Sequence, residues 1–99
     1  MRRRSYDANH GSVKRTFERL GAYVFDCAHV GGGFPDLVVF WRGRAMLVEV
    51  KDGSKPPSAR KLRQSQLFMH AEAARCGVPV HVVTSEDEAM ALLGARAAA

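Results

Sequence analysis

The sequence predicts a single α/β domain. Three observations carry that expectation. Apolar residues recur at helical spacing before residue 20 and again after residue 59. Four short runs rich in β-branched and aromatic residues, "AYVFDC", "DLVVFW", "AMLVEV" and "VPVHVV", lie between turn-forming segments. The 99 residues, 46% of them hydrophobic, suffice for one modest core and not for two.

The elements follow in order. Residues 12–20, "SVKRTFERL", place Val13, Phe17 and Leu20 on one helical face, with Ser12 as N-cap and Gly21 as the stop. "AYVFDC" reads as a strand, and "AHVGGGFP" as a loop whose glycines and proline forbid regular structure. "DLVVFW" and "AMLVEV" form a hairpin across "RGR". With Arg42 and Gly43 as a two-residue turn, Trp41 faces Arg44, and counting back along both strands sets Asp36 opposite Glu49. After the loop "KDGSKPPS", residues 59–76 read as a helix that ends before Gly77 and Pro79. Leu62, Gln66, Met69, Ala73 and Cys76 share one face of it; four of them suit a core and Gln66 does not. "VPVHVV" is the last strand, and "SEDEAMALL" opens with Ser85 and Glu88 in capping-box relation before Gly94. One domain, 1–99, is expected, with residues 1–8 and 95–99 frayed.

Fifteen Lys and Arg against ten Asp and Glu give a net charge of +5, a balance that favours polyanionic partners. "MRRRSYD" lacks the apolar stretch of a secretory signal, and no run approaches a membrane span. Cys27 and Cys76 fit neither a CxxC metal pattern nor a disulfide framework, so they read as small buried hydrophobes of a reduced cytoplasm.

The charges in the hairpin need a reason. Alternation sends Leu47, Glu49 and Lys51 to one face of the strand, and Val48 and Val50 to the other. Opposed carboxylates weaken a strand pair unless a proton, Lys51 or a cation compensates. Two carboxylates with water and phosphate oxygens suit Mg²⁺ or Mn²⁺, hard ions held by few protein ligands. No zinc-type Cys/His cluster competes. Hydrolysis of a phosphodiester follows from such a site, with Lys51 stabilising charge on the phosphate. A lone Glu-x-Lys on a strand is usually a solvated pair. The conjunction of Pro35-Asp36, the register facing Glu49, Lys51 and the basic chain raises the catalytic reading above that one.

"GGGFPDLVVFWRGRAMLVEVKDG" followed by "LRQSQLFMHA" resembles the PD-(D/E)XK nuclease superfamily and, within it, the small stand-alone VRR-NUC proteins of phages and prophages. The resemblance implies an αβββαβ core, a mixed central sheet flanked by helices. It also implies a DNA endonuclease dependent on Mg²⁺ or Mn²⁺, with Asp36 and Glu49 as metal ligands, Lys51 as the catalytic lysine and the Val50 carbonyl completing the metal shell. The family's helical glutamine falls on Gln66, which accounts for a polar residue on that face. Structure-specific cutting of branched DNA such as Holliday junctions, a homodimer, and the cytoplasm of a bacterial host are further implications. Neither a membrane nor a small-molecule cofactor is expected. The sequence departs from its relatives on the first helix, where an acid is usual: Ser12 stands at about that position and Glu18 a turn or more later. This departure favours weaker metal binding and supports an alternative, a weak or inactive DNA-binding module of a phage replication, recombination or packaging assembly.

Lys55, Arg60, Lys61 and Arg63 group after the charged strand as candidate phosphate contacts. Gly32 and Gly33 belong to a run that permits a sharp turn and would also let backbone N–H groups approach DNA. Arg42 and Arg44 at the hairpin tip read as solvated charges, and Phe40 and Trp41 as packed within the fold or an interface.

Overall fold

The computed structural model describes residues 7–94; residues 1–6 and 95–99, most of the stretches expected to fray, lie outside the described residues. The elements run α1 (His10–Arg19), β1 (Tyr23–Asp26), β2 (Leu37–Trp41), β3 (Arg44–Val50), a 3₁₀ turn (Pro57–Arg60), α2 (Gln64–Arg75), β4 (Val80–Val83) and α3 (Glu86–Leu92). They build one mixed sheet of order β1-β2-β3-β4, in which the first three strands are antiparallel and β4 runs parallel to β3.

The hairpin turn sets the register. Arg42 (φ 47°) and Gly43 (φ 79°) both adopt positive φ, as a type I′ turn requires, and Trp41 pairs with Arg44 as the sequence predicts. Arg42 is the one non-glycine residue with positive φ among the described residues, a conformation costing roughly 1–2 kcal/mol.

Alternation gives the sheet two unlike faces. Val24, Leu37, Val39, Met46, Val48, Val50 and Val83 are buried in one cluster with Val13 and Phe17 of α1, Ala89 of α3 and Leu93 just after it. Each fully buried aliphatic or aromatic side chain there contributes about 1.5–3 kcal/mol. The other face presents Tyr23 (66% exposed), Phe25 (51%), Phe40 (46%) and Val82 (44%).

Three expectations are corrected. α1 begins at His10 and Ser12 is not its cap: the Ser12 hydroxyl donates to the Asn9 carbonyl from inside the first turn. Buried His10 bonds Asp26 at 2.9 Å and so joins the helix to the end of β1. α2 begins five residues later than periodicity suggests. Pro57 starts a 3₁₀ turn, Lys61 is extended, and the Gln66 side chain accepts from the Arg63 N–H (2.8 Å), which fixes the helix start after Arg63. Of the predicted α2 core face only Gln66 is buried; Leu62, Met69 and Ala73 are half-buried and Cys76 is exposed, whereas Cys27 is buried. The helix stands against β4 and the end of β3 instead of lying across the sheet.

α3 is capped as predicted, Ser85 Oγ accepting from the Glu88 N–H, but Glu88 reaches back to Thr84, accepting from its N–H and its hydroxyl. No described helix is long and apolar enough to cross a membrane.

The glycine loop positions α2. A Cβ on Gly33 (φ 82°) would lie 2.3 Å from the Ser65 carbonyl oxygen, while one on Gly32 (φ 65°) would meet nothing within 4 Å. Gly32→Ala is expected to cost only the positive-φ penalty, roughly 1–2 kcal/mol. Gly33→Ala adds a backbone overlap and should cost at least about 2 kcal/mol more; urea unfolding of both variants measures the difference.

Candidate active site

Asp36 sits where β1, β2 and β3 converge. Its backbone carbonyl accepts from the Cys27 N–H (2.7 Å) and its Oδ2 accepts from the Val50 N–H (2.9 Å). Pro35 before it is fully buried, which makes the approach to the strand rigid. Continuing the register one step beyond the Leu37–Val48 pair brings Asp36 beside Glu49.

Glu49 is 2% exposed. Its Oε2 accepts from Gln66 Nε2 at 2.7 Å and lies 3.9 Å from Lys51 Nζ. Its Oε1 is buried and has no hydrogen-bond partner. Burial, followed by the negative charge of Asp36, pushes the Glu49 carboxyl up to about 8, against the opposing pull of Lys51 and Arg63. The Glu49 carboxyl therefore keeps its proton at neutral pH when nothing else neutralises the pair.

Lys51 is 8% exposed and fixed through its backbone. Its N–H donates to Val83 O (3.1 Å), and its carbonyl accepts from Asn9 Nδ2 (3.0 Å), which also bonds Thr84 O. Its ammonium is 3.4 Å from Gln66 Oε1. The Gln66 amide is thus oriented at both ends, accepting from Arg63 and Lys51 and donating to Glu49.

The structure brings Asp36, Glu49, Lys51 and Gln66 together, with Val50, the last residue of β3, between Glu49 and Lys51. Arg63 is near enough to favour the ionised Glu49. Lys55, Arg60 and Lys61 lie on the segment between β3 and α2; Lys55 pairs loosely with Asp7 at 3.9 Å. Gly32 is exposed, while Gly33 is buried against the first turn of α2.

Two contributors escape sequence reasoning. Asn9 ties α1 to the end of β3, and an asparagine just before an amphipathic helix signals only a cap. His70, one turn beyond Gln66, is held toward its neutral form by burial and by Lys51, and its Nε2 is buried with no hydrogen-bond partner. Its i+4 spacing from Gln66 was the available signal.

The donor set suits a hard divalent cation. Asp36 and Glu49 supply anionic oxygens, and the unsatisfied Glu49 Oε1 gives one of them a free lone pair within the protein. Among the described residues no group of three or more His, Cys, Asp and Glu side chains is placed to hold a metal.

Comparison with known proteins agrees with this architecture. No curated protein sequence matches the chain. A solved structure described as a VRR-NUC domain matches it with a TM-score of 0.64 and 33% identity, over 86% of this chain and 94% of that one. The VRR-NUC domain family model matches residues 5–87. Asp36, Glu49 and Lys51 all lie within that match of a nuclease-like domain, and the chain belongs to the VRR-NUC domain family.

Proposed function

We propose that this protein is a metal-dependent DNA endonuclease that hydrolyses phosphodiester bonds at the Asp36, Glu49, Lys51 and Gln66 cluster. The observation that carries this reading is the buried Glu49 carboxyl, in contact with Asp36 and unsatisfied at Oε1, with Lys51 Nζ 3.9 Å away. An aliphatic residue would stabilise the strand more, so the charges point to chemistry.

Asp36 and Glu49, with the Val50 carbonyl, would hold Mg²⁺ or Mn²⁺. When bound, such an ion activates water and neutralises charge on the phosphate. Attack by water forms one P–O bond as the opposite bridging P–O bond breaks, leaving a phosphate monoester and a hydroxyl. Lys51 holds its ammonium toward the phosphate and stabilises the charge that develops on the non-bridging oxygens. Gln66 keeps Lys51 and Glu49 in fixed relation, so the site is organised before substrate arrives. Lys55, Arg60, Lys61 and Arg63, with the exposed backbone at Gly32, would contact the DNA backbone, whereas Gly33 is buried against α2 and serves the fold. A preference for branched DNA and a homodimer belong to the same reading; Leu67 (56% exposed) and Phe68 (70%) on α2 offer apolar surface for a second copy.

One observation favours a second reading, a DNA-binding module with little activity. Ser12 occupies the usual place of a first-helix acid, and its hydroxyl is engaged by the Asn9 carbonyl. Incubation with supercoiled, single-stranded, flapped and four-way-junction DNA separates the two. Cleavage is expected with Mg²⁺ or Mn²⁺ and not with EDTA, and Glu49→Ala and Lys51→Ala should each lower the rate by on the order of 100-fold. Retained binding with no cleavage of any substrate would favour the binding module, and cleavage surviving both substitutions would refute the site.

Metal-free protein should also show a characteristic pH dependence. A Glu49 carboxyl at about 8 in the folded chain against the ordinary 4.5 holds a proton that the unfolded chain has already released. Stability of the metal-free form therefore falls as pH rises through that window and levels off above it. Added Mg²⁺ or Mn²⁺ takes the proton's place and should raise the melting temperature more at pH 8 than at pH 6. Thermal denaturation with and without EDTA measures both effects, and Glu49→Gln should flatten the slope and remove the cation response.

A further inference from the structure

We infer that the hairpin end of the sheet is a second nucleic-acid contact, in which Arg42 and Arg44 hold a phosphate and the exposed rings of Tyr23 and Phe40 stack on unpaired bases of the strand being cut. This deepens the nuclease reading and rests on it.

The turn itself supplies the first observation. Type I′ turns favour Asn, Asp or Gly at the first central position, yet here an arginine takes positive φ (47°). A strained residue that a smaller one would replace without strain has a reason to be there. Its guanidinium carbon lies 4.5 Å from the Trp41 ring centroid, and that of Arg44 lies 5.6 Å from it. The indole is itself fixed, donating from Nε1 to Leu20 O at 3.1 Å. Two cations are thus held on one platform, and among the described residues neither is paired with an acid.

The second observation is the surface beside them. Tyr23 and Phe40 form a tilted ring pair with centroids 5.8 Å apart, 66% and 46% exposed, on the rim of an open depression of about 440 Å³ that the two arginines also line. Cations next to accessible aromatic faces suit a single strand, whose phosphates meet the guanidinium groups while its bases stack on the rings. Double-stranded DNA keeps its bases stacked on one another and has no use for the rings.

Position completes the case. Phe40 pairs with Ala45, which shares its sheet face with Leu47 and Glu49. Ala45 and Glu49 are four residues apart on β3, about 13 Å of strand. One strand can therefore reach from Glu49 to the Phe40 and Tyr23 rings along the open face and turn round the hairpin end to the arginines, because Arg44 stands with Trp41 toward the other face and the depression joins the two.

Trp41 is the sole tryptophan, so its fluorescence reports on this end of the molecule. The test titrates a single-stranded oligonucleotide of ten thymidines and a blunt duplex into the full chain in EDTA, with Arg42→Asn, Arg44→Gln and Tyr23→Ser as variants. Binding of the single strand should change Trp41 fluorescence saturably. Arg42→Asn should lower single-strand affinity about fivefold and reduce the salt slope by about 0.7, the value for one phosphate contact, while the melting temperature stays level or rises because the turn is relieved. A merely structural Arg42 would move stability and not affinity. Tyr23→Ser should weaken the single strand and leave the duplex unchanged. Saturated binding with no Trp41 response, or affinities and salt slopes within twofold of wild type in both arginine variants, would overturn the inference. Cleavage plays no part in this measurement: a protein that binds through the hairpin but cuts nothing retains this site and loses the nuclease reading, and one that cuts without a Trp41 response does the reverse.

Discussion

The contact between Asp36 and Glu49 is the constraint around which the rest of the structure is arranged. Like charges directly opposed on neighbouring strands destabilise the pair, and burial makes the repulsion stronger. Left alone, the two strand ends would splay apart. They are held instead by donors from the end of β3 and from α2: the Val50 N–H to Asp36, the Gln66 amide to Glu49, and the Lys51 ammonium beside both Glu49 and Gln66. The lysine in turn is held by Val83 and Asn9. Elements distant in sequence thus converge on one acidic pair, and the buried Glu49 Oε1 is left without a donor.

How legible this was in the sequence depended on the range of the interaction. The Asp36–Glu49 apposition followed from a local rule: a two-residue turn at Arg42 and Gly43 fixes every pair behind it, and the observed register agrees step for step. Gln66 could be singled out because a polar residue broke an apolar helical face. The start of α2 was not legible, since residues 59–63 are good helix formers and it is the Gln66 side chain, accepting from the Arg63 N–H, that sets the boundary. Asn9 was missed for a related reason. Its partners, the carbonyls of Lys51 and Thr84, are 42 and 75 residues away, and no local pattern announces such a bond.

The misjudged face of α2 has a common cause with the open face of the sheet. Periodicity shows that a helix has an apolar side but not how much surface will cover it. α1 and α3 share the core with the buried sheet face, so that face is fully enclosed. α2 meets β4 and, through Gln66, the end of β3, which is enough to close the site over Glu49 but leaves the aromatic stripe of β1 and β2 uncovered. The helix acts as a local lid for one carboxylate and not as a layer of the fold.

The hairpin tolerates unfavourable features at both ends because its middle is strongly held. At one end Arg42 adopts a conformation costing roughly 1–2 kcal/mol. At the other, two carboxylates touch. Between them Leu37, Val39, Val48 and Val50 are essentially fully buried, and each contributes about 1.5–3 kcal/mol. Even the lower figure, taken over these four residues, exceeds the turn strain severalfold and leaves a margin for the repulsion. The inward face of β2 and β3 is therefore what allows their outward face to carry charge and exposed aromatic rings, and residues that do no chemistry determine where the chemistry can be placed.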